Sequence, residues 1–142
     1  MYTLEQAISS INDAATSSDS EQRVMRRFEV GKALHQGDVY LHMVADSHPR
    51  GGLWGSKQVA IGDTTGSRHV AEGDVEVYAG AALPDYFNIA GGVDPAAFLG
   101  PVVVARDTWC LAHPEHADHV LPAGVYQVSY QVDMLTRQRV AD

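Results

Sequence analysis

Hydrophobic and polar positions along the chain change period near Gly31. Before it, Leu4, Ala7, Ile8, Ile11 and Ala15 recur at helical spacing, which predicts an amphipathic helix over residues 3–15. Thr3 and Gln6 stand at capping-box spacing at its start. The run Ser17-Ser18-Asp19-Ser20 ends it. Ser18 and Glu21 repeat the capping spacing, and Val24, Met25 and Phe28 form a small apolar face, so a second short helix is expected over 19–28.

After Gly31 the period is two. Val39, Leu41 and Met43 alternate with Tyr40, His42 and Val44. Further β runs are expected at 58–61, 68–71, 74–79, 102–105, 108–112 and 125–132. In the last, Tyr126, Val128, Tyr130 and Val132 take one face, and Gln127, Ser129 and Gln131 the other. Turn residues separate the runs: Gly62-Asp63, Thr65-Gly66, Glu72-Gly73-Asp74, Arg106-Asp107 and Pro122-Ala123-Gly124. The expected fold is mainly β (α+β): a jelly-roll-like sandwich or small barrel with one or two short N-terminal helices. Residues 1–30 form a helical arm in this reading, and 31–142 a β domain.

Two connections exceed simple turns. One runs from Asp46 to Lys57 and carries Leu53-Trp54. The other, 80–100, is long and apolar, with Leu83, Tyr86, Phe87, Ile89, Phe98 and Leu99. Connections of this length tend to be functional, and one so apolar must lie against its own domain or a partner.

Composition narrows the function classes. The 142 residues carry a formal net charge of -8, with 45% hydrophobic and 20% charged residues. That suits one globular domain with a real core. A chain this acidic, with no basic run longer than Arg26-Arg27, is repelled by phosphate backbones, so no nucleic-acid partner is expected. The single cysteine, Cys110, excludes an internal disulfide. The start of the chain lacks a basic n-region and an apolar h-region, and no apolar stretch reaches the roughly 20 residues of a membrane helix, so neither a signal peptide nor a membrane partner is expected.

The candidate chemistry is concentrated in histidines. His113, His116 and His119 fall within seven residues, around Glu115 and Asp118. Imidazole and carboxylate ligands suit Zn or Fe, so His69, His113, His116 and Glu115 form a candidate metal set, as in a cupin-like barrel where two clusters converge. Pro114 blocks a regular helix here, so the alternative is a polar turn feeding a strand. Cys110 lies in an apolar β run and reads as a buried small hydrophobe. Gly62-Asp63-Thr64-Thr65-Gly66-Ser67 lacks the lysine of a phosphate loop and reads as a hairpin turn.

Three blocks form a recognisable order: His35-Gln36-Gly37-Asp38-Val39-Tyr40-Leu41, then Thr65-Gly66-Ser67-Arg68-His69-Val70, then His113-Pro114-Glu115-His116 through Leu121-Pro122-Ala123-Gly124-Val125-Tyr126. The order resembles a group of small bacterial and tailed-phage proteins. Many of its members look like they carry His-x-His in the middle block, where this chain has Ser67-Arg68-His69. The N-terminal helices and apolar loop are similar to the phage-type members, which look like virion-associated proteins.

The resemblance implies a non-enzymatic virion protein, a capsid decoration or cement module. It would be made in the bacterial host cytoplasm, assembled on the capsid surface, and be a homo-oligomer without a cofactor. Its partner would be the major capsid protein or another virion protein. Trp54, Leu83, Tyr86, Phe87 and Phe98, with Leu4, Ile8 and Ile11 of the first helix, would make the contacts, because aromatic anchors dominate interfaces. The alternative is a cupin-like metal-dependent enzyme or metal-binding sensor holding Zn or Fe. A third reading is a host-directed inhibitor whose acidic surface mimics nucleic acid.

Overall fold

Alternating residues bury one face of a strand, and two such faces close a core only when sheets stack. The computed structural model, which describes residues 23–24, 28–61, 68–85, 94–133 and 138–140, shows this arrangement. In chain order the strands are β1 (Arg23–Val24), β2 (Ala33–Gln36), β3 (Val39–Val44), β4 (Arg50–Leu53), β5 (Gln58–Ile61), β6 (Arg68–Glu72) and β7 (Val75–Gly80). After a short 3-10 turn at Pro95–Ala97 come β8 (Leu99–Ala105), β9 (Trp109–Ala112), β10 (His119–Leu121), β11 (Gly124–Tyr130), β12 (Val132–Asp133) and β13 (Gln138–Arg139). One sheet has the order β1-β10-β9-β6-β5 and the other β2-β3-β11-β8-β7-β4, while β12 and β13 pair separately. Both large sheets end in edge strands, so the fold is a sandwich rather than a closed barrel.

The core lies between the sheets. Leu41, Val103, Tyr126 and Val128 of the six-stranded sheet meet Val59, Ala71, Trp109, Leu111 and Leu121 of the five-stranded one. Tyr126 packs edge-on to Trp109 at 5.1 Å and stacks on Phe28 at 6.0 Å. Its hydroxyl donates to the Pro122 carbonyl at 2.6 Å. Gly124, between them, has φ +152, a conformation that disfavours a side chain. The Leu-Pro-x-Gly-x-Tyr block is therefore a corner that carries the chain from β10 into the central strand β11.

Several expectations are corrected. Residues 23 and 24 are not helical. They form β1, parallel to His119–Val120, with the Arg23 N–H donated to the Asp118 carbonyl. The edge of β10 supplies hydrogen-bond partners that outweigh a marginal local helix. Val24 packs beside Cys110 and Val120, and Phe28 lies in the main core, so these residues of the expected arm pack into the sandwich. The helix expected over 3–15 lies outside the described residues.

The connection from Asp46 to Lys57 contains β4, paired with β7. The long loop is shorter than expected: Gly80 ends β7, and Leu99 and Gly100 begin β8. Its described ends lie against the domain. His48 Nε2 bonds the Ala82 carbonyl at 3.0 Å, Pro84 is buried, and Tyr130 N–H donates to the Phe98 carbonyl at 2.8 Å. The polar face of β11 is covered too. Gln127 and Ser129 are buried, and they are satisfied by Gly100, Pro101 and His42. Among the described residues no helix is long and apolar enough to cross a membrane.

Candidate functional site

The β2–β3 hairpin turns through Gly37 and Asp38, with Gly37 at φ 58. Glycine takes that positive φ without strain, as primed hairpin turns require. The turn sets Gln36 and Asp38 close together, and both are buried. They reach across from the six-stranded sheet to the five-stranded one. The Gln36 amide Nε2 donates to the Leu111 and Ala117 carbonyls, each at 2.9 Å. This fixes which end of the amide faces His69. Gln36 Oε1 must then accept from His69 Nδ1, 2.9 Å away.

That bond sets the His69 tautomer. With the proton on Nδ1, the Nε2 lone pair points at Asp38 Oδ1, 3.2 Å away. Burial and the neighbouring His113 push the His69 pKa down to about 4, against the pull of Asp38. The second carboxylate oxygen, Asp38 Oδ2, is buried and has no hydrogen-bond partner among the described residues. Two lone-pair bearers facing each other in a buried pocket need a proton or a cation between them.

The histidine segment between β9 and β10 completes the wall. The His113 ring lies 4.4 Å from His69 and 4.5 Å from His116, and His69 and His116 are 6.4 Å apart and nearly parallel. His113 Nδ1 accepts the backbone N–H groups of Glu115 (2.9 Å) and His116 (3.2 Å). It closes the turn through Pro114, so the segment is a polar turn feeding β10 that also sets the His113 and His116 rings beside His69. Glu115 is exposed, and its backbone rather than its carboxylate contacts His113. Among the described residues no three histidine, cysteine or carboxylate groups already stand in ligating positions. Asp38 and His69 form a pair, with His116 nearby and half-buried.

His119 is buried, and burial, with Arg23 and His35 nearby, lowers its pKa to about 4. Cys110 is buried, and its thiol is pushed up to about 12, chiefly by burial. It stays protonated at neutral pH and is a poor nucleophile.

Sequence reasoning named His69, His113 and His116, and the structure brings them together. Gln36 and Asp38 stood there only within the first of the three ordered blocks, with no role in a site. The available signal was two polar side chains flanking a glycine, directly before an apolar strand. Of the expected contact residues, Trp54 is exposed, and Leu83 and Phe98 are half-buried. Tyr86, Phe87, Leu4, Ile8 and Ile11 lie outside the described residues.

Fold and site together define a two-sheet β sandwich with a buried histidine–carboxylate pair, Asp38 and His69, linking its sheets. Residues 35–131 match the family described as Domain of unknown function (DUF8820), and the chain belongs to that family. No curated protein and no solved structure matches it.

Proposed function

We propose that this chain binds one divalent transition metal, Zn or Fe, through Asp38, His69 and His116. The observation that carries the reading is the Gln36–His69–Asp38 arrangement. A ligating histidine characteristically donates its other ring N–H to a fixed acceptor, which orients the ring and keeps the ligating lone pair bare. Gln36 plays that part for His69. The 3.2 Å separation of His69 Nε2 and Asp38 Oδ1 is close to the roughly 3.3 Å between two ligands of a tetrahedral metal with ~2.0–2.1 Å bonds. A shared proton would also satisfy the pair. The presence of His113 and His116 on the same side favours the cation. His116 would swing in as the third ligand, while His113, whose Nδ1 is engaged by the turn, holds the turn in place.

Native mass spectrometry of protein purified without chelators, and again after zinc dialysis, tests this. One metal per chain is expected. His116→Ala should lose it with little change in thermal stability, because His116 is only half-buried. A metal-free spectrum after zinc dialysis overturns the reading.

A second reading is the virion protein that decorates or cements a capsid lattice. It is favoured by Leu53 and Trp54, which are 73% and 43% exposed at the edge strand β4. Adjacent exposed apolar groups of this size suit a docking anchor. Replacing both with serine should leave the fold intact and abolish co-sedimentation with the capsid. Unchanged co-sedimentation would remove this reading's support.

A further inference from the structure

A hollow opens beside the buried Asp38–His69 pair, sharing Gln36 and His116 with it. Its volume is about 160 Å3, and Arg23, His35, His116 and His119 line it, over a floor of Gln36 and Gly37. Every titratable side chain on this lining is cationic or can become so. Among the described residues of the lining none is a carboxylate, although the whole chain carries a net charge of -8. The neighbouring carboxylates are engaged elsewhere: Asp38 faces His69, and Asp118 takes a hydrogen bond from the His113 backbone.

We infer that this hollow binds a small oxyanion, a carboxylate or a phosphate. The guanidinium of Arg23, exposed at the rim, presents paired N–H donors that match two oxygens of such a group. The exposed ring of His35 stands on the same lining. The hollow has room for inorganic phosphate or a short carboxylate. The inference rests on the metal reading only through His116, which lines the hollow and lies beside His69. An anion there would lie beside that residue, so the site would take a small anionic ligand next to its metal.

Isothermal titration with inorganic phosphate and with oxalate tests it on the full chain, chelator-treated and zinc-loaded. Saturable binding of at least one probe to chelator-treated protein is expected, weakened about tenfold or more in Arg23→Ala. The zinc content of that variant should stay the same. Phosphate and oxalate separate the two ligand classes. Absence of binding by both probes up to millimolar concentration overturns the inference, as does binding that ignores Arg23→Ala together with His35→Ala. The two readings fail separately: zinc without anion binding removes this one, and anion binding without zinc removes the metal site.

Discussion

Gln36→Leu should destabilise the protein by about 3 kcal/mol and weaken zinc binding about 10- to 100-fold. Gln36 is almost wholly buried, 1% exposed, and makes three bonds, to Leu111, Ala117 and His69. Leucine fills similar space with no polar atom. Two carbonyls and one imidazole N–H are then left dry, and each stranded buried group costs about 1–3 kcal/mol. The His69 proton also loses the acceptor that holds it on Nδ1. The ring is free to carry the proton on Nε2, where it donates to Asp38 and has no lone pair for a metal. Urea unfolding of the metal-free protein measures the first effect, and zinc titration against a competing chelator the second. A variant as stable as the parent would show that the amide is not the strut described. Full stability loss with unchanged zinc affinity would show that the strut does not orient a ligand.

Acid should loosen the fold well above the pH at which most carboxylates titrate. The His119 pKa is lowered from 6.5 to about 4, mainly by burial, and His42, buried against Ser129 and near His48, is lowered too. A histidine depressed in the folded state takes its proton first in the unfolded state. Its contribution to stability is complete above pH 6.5 and is lost as pH falls through about 4. Asp118, raised by burial, works in the opposite direction over the lower part of that window. The His119 contribution is on the order of 1–3 kcal/mol once residual solvation of the ring is allowed for. The urea midpoint of chelator-treated protein should therefore decline between pH 6.5 and 4, and His119→Gln should flatten the decline. A midpoint constant across that range would mean these rings are solvated.

Much of the β architecture is written in local pattern. The alternation in 39–44 and 125–132 predicts β3 and β11, which pair with each other at the centre of a sheet. The short strands β2, β4 and β10 are less legible. Arg50-Gly51-Gly52-Leu53 has no alternation to detect, and it is a strand only because β7 offers an unpaired edge. Residues 23–24 show the same effect in reverse, since a helical pattern gives way to the open edge of β10. Gln127 and Ser129 alternate as a solvent face would, yet they are buried beneath other segments of the chain. Polarity alone does not distinguish a wet residue from a hydrogen-bonded buried one.

For the site, the residue types were visible and their assembly was not. Histidines at 69, 113 and 116 announce possible ligands by their chemistry. What makes them a site is the contact of Gln36 and Asp38 with His69, 33 and 31 positions away in sequence. That contact exists because side chains at the β2–β3 turn of the six-stranded sheet reach across to β6 of the five-stranded one. Local pattern by itself determined a β-rich sandwich or barrel with histidines as its candidate ligands, because strand period and residue type are properties of neighbours along the chain. Only the tertiary structure decided which tautomer His69 holds, which carboxylate it faces and that Arg23 borders the pocket, because those depend on groups brought together by stacking two sheets.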